Sequence, residues 1–133
     1  MYLVDTNVVS EARRGSREAW LWFRSVDPNS IFLSVITLGE IMRGIALKRR
    51  TDTRAAASLT VWLEQLRHDH ASRILPISDR IALEWGRLAA ERSRAMADAL
   101  IAATAAIHGK IIVTRNVADF AATGIPLINP WQP

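Results

Sequence analysis

The sequence predicts an α/β/α sandwich with a short, mainly parallel central sheet. Short apolar segments rich in β-branched residues alternate with longer segments whose apolar residues recur every three or four positions. This alternation is typical of parallel sheets that are covered by helices on both faces. The chain has 133 residues, of which 50% are hydrophobic, so we expect a single domain that spans residues 1–133 and has its own core.

Five short apolar segments are the predicted strands. The first, residues 2–4, ends in Asp5-Thr6-Asn7, which we interpret as a turn. The clearest is 110–114, because it is rich in β-branched residues. The remaining predicted strands are 30–34, 73–77 and 127–128.

Helices are predicted between these strands. They cover residues 18–24, 37–49, 52–70 and 97–108, with a further helix that begins at Asp79 and a short turn or helix at 116–120. Asp79 is a candidate N-cap, and Gly109 can end the helix before it. Because no Gly or Pro lies between residues 90 and 96, residues 79–108 could form one helix of roughly 30 residues, which is long for a globular domain. We expect a tight break near 93–96 instead.

Composition excludes several classes of protein. No apolar run approaches the ~20 residues that span a bilayer, and we expect no signal peptide. The sequence has no cysteine, which excludes disulfide and thiolate chemistry and favours a cytoplasmic location. The net charge is +4, from 17 Lys and Arg against 13 Asp and Glu. This balance mildly favours a polyanionic partner, although ordinary solubility explains it equally well.

Four carboxylates are candidate site residues, and each also has a local explanation. Asp5 could cap a turn or a helix, and Glu40 stands three residues after Thr37, as in a capping box. Asp98 suits the dipole at the start of a helix, and Asp119 could cap a local turn. Each residue alone is therefore weak evidence for a site.

The arrangement of these acids is more informative than any one of them. Asp5 and Asp119 follow predicted strands, while Glu40 and Asp98 lie in or near the first turn of predicted helices. In a parallel sheet these positions can meet at the carboxyl edge, where ligands bind. Clustered carboxylates repel one another unless a cation neutralises them, and oxygen-only ligands suit Mg²⁺ or Mn²⁺. The pattern predicts a metal site that activates water for phosphodiester hydrolysis.

Basic residues form two groups in the sequence. The first is Arg13, Arg14 and Arg17, and the second runs from Arg43 to Arg54. One interpretation is that these residues are ordinary solvated helix faces. The other is that they form a groove for the RNA backbone, which would offset the repulsion between an acidic site and its substrate. Arg43, one turn beyond Glu40, and Arg115 are the best single candidates. We expect the five tryptophans to lie in the core or at a subunit interface.

Several segments resemble the PIN-domain family. The resemblance lies in the blocks LVDTN at 3–7, SVITLGE at 34–40, ADALIAATA at 97–105 and TRNVADF at 114–120, which occur in the order typical of the family. The tail IPLINPW at 125–131 resembles that of the VapC and FitB-like toxins of type II toxin–antitoxin systems. The resemblance implies a PIN fold, endoribonuclease activity that depends on Mg²⁺ or Mn²⁺, a homodimer, and inhibition by a cognate antitoxin, with a higher toxin–antitoxin assembly as an option.

The resemblance also assigns roles by position. Asp5, Glu40 and Asp98 match the core acids of the family, which are catalytic and bind metal, and Asp119 matches the more variable fourth acid. Neighbouring polar residues match positions that orient ligands or substrate. These polar residues are Thr6, Asn7, Thr114 and Asn116.

Two other functions are compatible with parts of the sequence. A PIN-like module could bind nucleic acid without cleaving it, and this reading predicts that no divalent metal binds. Phosphotransfer on an aspartate is disfavoured, because Asn7 stands where haloacid-dehalogenase-like enzymes need a second Asp, and Arg115 provides no strand-end lysine of the response-regulator type.

Overall fold

A computed structural model describes residues 1–133 and contains a five-stranded sheet in the order β3-β2-β1-β4-β5. Every neighbouring pair of strands is parallel. The strands are β1 (Tyr2–Val4), β2 (Ile31–Ser34), β3 (Ile74–Leu75), β4 (Ile111–Val113) and β5 (Leu127–Ile128). The predicted α/β sandwich with a mainly parallel sheet is confirmed.

The central position of β1 determines which residues meet at the carboxyl edge of the sheet. Val4 pairs with Val113 of β4, so the residues that follow these strands, Asp5 and Thr114, are neighbours. The ladder extends one residue further, because the Asp5 amide donates to the Val113 carbonyl at 2.9 Å. Asp5 is therefore placed by the sheet itself.

Seven α-helices cover the sheet. They are α1 (Thr6–Arg13), α2 (Arg17–Ser25), α3 (Val35–Arg49), α4 (Thr53–Asp69), α5 (Asp79–Glu91), α6 (Met96–His108) and α7 (Val117–Phe120). Two single 3₁₀ turns, Pro28–Ser30 and Ala71–Arg73, precede β2 and β3. None of the helices combines the length and the apolar character that crossing a bilayer requires.

The predicted turn at residues 5–7 is wrong, because the chain enters α1 at Thr6. Asp5 is the N-cap of this helix, and its side chain accepts a hydrogen bond from the Thr6 amide at 2.8 Å. Val8 and Val9 are buried in the core. A short helix that carries two β-branched valines is stabilised mainly by this tertiary packing, which local sequence does not report.

The break between α5 and α6 is confirmed, since α5 ends at Glu91 and α6 begins at Met96. Gly109 ends α6 in the left-handed conformation, with φ of 63°. The predicted N-cap of α5 is off by one residue. Ser78 is the cap, and its hydroxyl accepts from the Ile81 amide at 3.2 Å.

The core lies on both faces of the sheet. Val4 and Val113 belong to a cluster beneath α1, α3 and α4, whereas Leu3 and Ile112 belong to a second cluster beneath α5 and α6. Consecutive strand residues point to opposite faces, so each three-residue strand supplies both clusters. The middle of α6 is almost fully buried and consists largely of alanine, which lets this helix pack close to the sheet and to α5.

Candidate active site

Asp5 is the buried acid at the centre of the carboxyl edge. Only 4% of its surface is exposed. Its Oδ1 accepts from the Thr6 amide, and its Oδ2 accepts from the Thr114 hydroxyl at 2.9 Å and from the Asn7 side-chain amide at 3.1 Å. Three donors therefore hold the carboxylate in one orientation.

Glu40 reaches the same region from α3. Its Oε1 accepts a 2.6 Å hydrogen bond from the Thr6 hydroxyl, so one residue, Thr6, contacts two of the predicted acids through its amide and its hydroxyl. The alternative capping-box role of Glu40 is wrong. Ser34 caps α3, with its hydroxyl accepting from the Ile36 amide at 3.0 Å, and Glu40 lies in the second turn of the helix rather than the first.

Thr37 belongs to this network, although the sequence suggested only a capping role for it. Its side chain is buried, and its hydroxyl lies 3.0 Å from the Thr6 hydroxyl. Thr6 has one hydroxyl proton, and the ionised Glu40 carboxylate can only accept. Thr37 therefore donates to Thr6, and Thr6 donates to Glu40. No pattern in the sequence indicates this chain of hydroxyls, because it joins residues 31 positions apart.

The four predicted acids form one electrostatic unit. The pKa of Asp5 is raised to about 6. Burial is the main cause and the charges of Asp98 and Glu40 add to it, while the hydrogen bonds from Thr114 and Thr6 act in the opposite direction. The pKa of Asp98 is also raised, first by burial and then by the charges of Asp119 and Glu40. Asp98 lies in the first turn of α6, as expected. Asp119 lies in α7 and is exposed.

No lysine or arginine forms an ion pair with any of these four acids. Each salt bridge in the structure joins residues three or four positions apart elsewhere in the chain. Asp5 and Glu40 accept hydrogen bonds only from hydroxyl and amide groups. Burying an unpaired carboxylate is costly, so a cation from outside the chain would stabilise this arrangement.

The chemistry of the donor set fits a divalent cation, although the side chains are not gathered around one point. No group of three acidic or histidine side chains is close enough to hold one ion in this structure. Carboxylates that repel one another stay apart until a cation draws them together. Oxygen donors on separate elements (the end of β1, the middle of α3 and the start of α6) suit a hard cation such as Mg²⁺ or Mn²⁺.

The predicted polar residues divide into those that touch the acids and those that do not. Thr6, Asn7 and Thr114 contact Asp5 or Glu40 directly. Asn116 contributes its backbone amide, which donates to the Thr114 hydroxyl at 3.0 Å, and its side chain is exposed. The Asn7 side chain also accepts from the Arg115 amide at 3.2 Å.

A cleft of about 650 Å³ opens beside the acids, between α1, α3 and α4. Thr6 and Glu40 line this cleft, and so do three basic side chains. These cations are Arg13, Arg14 and Lys48. Arg43, the best single candidate in the sequence, is exposed on α3 but does not line this cleft. Both predicted basic groups therefore contribute residues to the cleft, but these are Arg13, Arg14 and Lys48 rather than Arg43.

Comparison with known proteins gives consistent matches along the whole chain. The sequence model of the PIN domain matches residues 2–125. The chain is 32% identical over 146 residues to VapC ribonuclease Y4jK of Sinorhizobium fredii, covering 100% of this chain and 99% of that protein. The crystal structure of FitAcB from Neisseria gonorrhoeae superposes with a TM-score of 0.90 at 33% identity, covering 100% of both chains. A toxin–antitoxin complex from Klebsiella pneumoniae matches with a TM-score of 0.71 at 32% identity, again over 100% of both chains.

Proposed function

This chain belongs to the PIN-domain family, and we propose on that premise that it is a Mg²⁺- or Mn²⁺-dependent endoribonuclease toxin. The observation that carries the proposal is the set of four acids, Asp5, Glu40, Asp98 and Asp119, which share one electrostatic environment and have no cation partner in the chain. An acidic site of this kind hydrolyses phosphodiesters only when a metal ion offsets its charge.

Asp5, Glu40 and Asp98 are the residues that would hold the ion, with Asp119 available at the rim. The chemistry that such an ion would supply there is a lower pKa for a water molecule and stabilisation of the negative charge on the phosphodiester in the transition state. No serine–histidine or cysteine–histidine pair is needed for this chemistry. The chain has no cysteine at all.

The neighbouring polar side chains fix the acids in place. Asn7 and Thr114 both donate to Oδ2 of Asp5, and Thr6 donates to Oε1 of Glu40. Such partners keep metal-ligating carboxylates oriented before the ion arrives. The exposed Asn116 side chain lies one residue beyond the Arg115 position and is available to contact the substrate.

RNA is the proposed substrate, and basic side chains near the acids would attract its phosphates. Arg13 and Lys48 line the cleft that leads to Glu40, and neither forms a salt bridge. Arg43 follows Glu40 by three residues in α3, and Arg115 follows Thr114, which contacts Asp5, so both can add positive charge to this region. Lysines and arginines that neutralise RNA phosphates give affinity that falls with salt, which is the behaviour we expect.

We further propose that a cognate antitoxin protein neutralises the enzyme, and that the chain forms a homodimer within such an assembly. The support is the similarity over the whole chain to a protein solved in a toxin–antitoxin complex. The chain also exposes large apolar side chains that a partner could cover, including Leu21 on α2 and Leu83 on α5. A cytoplasmic location fits a cysteine-free protein whose substrate is RNA.

Incubation of the purified protein with a panel of structured RNAs tests the nuclease proposal. We expect cleavage with added Mn²⁺ or Mg²⁺, none with a chelator, and none by Asp5→Asn with metal present. A nucleic-acid-binding module without catalysis would show no heat of metal binding in calorimetry. Cleavage that survives both the chelator and Asp5→Asn would contradict the assignment.

A further inference from the structure

The backbone of Arg115 adjoins residues that contact Asp5, whereas its guanidinium group lies over an aromatic ring. Its neighbour Thr114 donates to Asp5, and its own amide donates to Asn7, which also contacts Asp5. The Arg115 guanidinium nevertheless forms no ion pair with a carboxylate. It lies over the ring of Trp131, with its central carbon 4.7 Å from the ring centroid.

The position of Trp131 is fixed by packing and by a hydrogen bond. It is partly buried and packs against the core cluster beneath α1, α3 and α4. Its amide donates to Oδ1 of Asn129 at 2.9 Å, which fixes the turn that brings the ring to Arg115. Packing against the core therefore fixes the ring, and the guanidinium lies over one of its faces.

The main chain of Arg115 is held on both sides. The Asn7 side chain accepts from its amide at 3.2 Å, and the Asn129 side chain donates to its carbonyl at 3.4 Å. Asn7 belongs to the acid site and Asn129 to the tail. The tail therefore contacts both the backbone and the side chain of one residue at the rim of the site.

We propose that the segment 129–131 positions Arg115 so that its guanidinium receives an RNA phosphate at the rim of the acid site. The backbone of Arg115 adjoins residues that contact Asp5, so without this support its side chain would be free to turn toward the unpaired carboxylates and compete with the metal. Stacking uses the flat face of the guanidinium and leaves its edge N–H donors available for bidentate contact with a phosphate. The inference rests on the proposed function in that RNA is the ligand.

Binding of a short fluorescent single-stranded RNA tests this role without cleavage. The measurements use Asp5→Asn protein in chelator and follow anisotropy across a range of salt concentrations. Trp131→Leu should weaken binding by about fivefold, the equivalent of about 1 kcal/mol of a cation–π contact. It should also make the salt dependence shallower by about 0.7 in log–log slope, as Arg115→Ala should, because one phosphate contact is lost. Trp131→Phe keeps an aromatic face and should restore both values.

Trp20 supplies a matched control. Arg24 lies over the Trp20 ring at the same 4.7 Å distance, on the exposed face of α2. Trp20→Leu therefore removes an equivalent contact elsewhere and should leave both the affinity and the salt slope unchanged. An equal loss in Trp20→Leu and Trp131→Leu would overturn the proposal.

A double variant separates positioning from packing. Trp131→Leu should cause no further loss in the Arg115→Ala background, and a persistent loss there would overturn the proposal. Should Trp131→Leu fail to fold, Asn129→Ala replaces it, and wild-type affinity and slope in that variant would contradict the role of the tail.

The outcomes also separate this inference from the proposed function. If the wild type cleaves RNA but Trp131→Leu binds RNA as well as its parent does, only this inference is overturned. Absence of both cleavage and binding would overturn the proposed function as well.

Discussion

Two groups of carboxylates in this molecule have opposite electrostatic environments. On the surface of α5, Glu84 accepts from Arg87 Nε at 3.1 Å, and Arg87 also donates to Glu91 at 2.6 Å. The hydrogen bond with Arg87 lowers the pKa of Glu84. At the carboxyl edge of the sheet, burial and neighbouring acids raise the pKa of Asp5 to about 6 and also raise that of Asp98.

The two groups differ in whether a basic side chain of the protein pairs with the carboxylates. Glu84 and Glu91 on α5 both pair with Arg87, so a basic side chain of the same helix balances their charge. In the candidate site, Asp5 and Glu40 have only hydroxyl and amide donors, which orient a carboxylate but do not neutralise it. We therefore expect this region to lower the stability of the protein when no cation is bound.

The largest contrast should appear in RNA cleavage. Asp5→Asn removes a proposed metal ligand and should lower the rate by at least about 100-fold, since metal stabilisation of transition-state charge is worth several kcal/mol. Glu84→Gln removes a carboxylate of the surface group and should change the rate by less than about twofold. Both effects are measured as initial rates of RNA cleavage at saturating Mn²⁺. Equal losses of rate in the two variants would show that the acid site and the surface group do not differ in this respect.

Metal binding should stabilise the folded protein through the acid site alone. Mn²⁺ at about 100 times its dissociation constant should raise the free energy of unfolding by about 2.7 kcal/mol. The increase should be much smaller in Asp5→Asn and should persist in Glu84→Gln. Urea unfolding with and without Mn²⁺ gives the values, and full stabilisation of Asp5→Asn would argue that the ion binds elsewhere.

Thr6 tests whether orientation within the acid site matters. Thr6→Val removes the hydroxyl that donates to Glu40 and should weaken Mn²⁺ binding by about tenfold, as expected for a residue that positions a metal ligand. Thr6→Ser should retain wild-type affinity. Thr60→Val is the control, because the Thr60 hydroxyl donates to the Ala56 carbonyl within α4. Calorimetric titration that gives the same affinity for Thr6→Val and Thr60→Val would count against the hydroxyl chain.

The smallest effect should be a stabilisation by Asp5→Asn in the absence of metal. A pKa raised from 3.8 to about 6 means that the folded state binds more protons than the unfolded state in this interval. Wild-type stability therefore falls as pH rises from about 4 to about 6. Near pH 7 the variant should be more stable by about 1 kcal/mol, less than the shift alone implies, because an amide nitrogen in the place of Oδ2 cannot accept from Asn7.

The advantage of Asp5→Asn should disappear below about pH 4, where Asp5 is protonated in both states. Glu84→Gln should show the opposite sign. The pKa of Glu84 is lowered in the folded state, so its ionised form stabilises the fold near neutral pH, and this contribution is lost as pH falls through the lowered pKa. Thermal melts across this range, in chelator, distinguish the two signs.

The sequence predicted the fold class better than the local structure around the candidate acids. Alternating short strands and helices are visible in the pattern of apolar residues. The break before Asp98 follows from the unusual length that an uninterrupted helix would have, and the end of α6 follows from Gly109. The helix α1 was missed because Val8 and Val9 are helical only through burial against the sheet. The order of the strands, which makes Asp5 and Thr114 neighbours, depends on contacts between residues 109 positions apart.

The contacts of individual side chains were the least predictable part. Glu40 matched a capping pattern with Thr37, yet Ser34 caps the helix and Thr37 joins Thr6 instead. A capping box and a metal-ligand helix contain the same residue types at the same spacing, so only the tertiary partner distinguishes them. The tail residue Trp131 was expected in the core or at an interface, and its contact with Arg115 has no counterpart in local sequence.

The alanine-rich interior of α6 has a consequence for how this protein can change over generations. Ala102 and Ala103 are completely buried, and each added methylene in such a helix costs about 1–3 kcal/mol of overpacking. Growth at these positions would also displace the helix that carries Asp98. A genetic screen for inactive alleles should therefore recover Ala→Val changes along this helix, at a distance from the acids, as often as changes of the acids themselves.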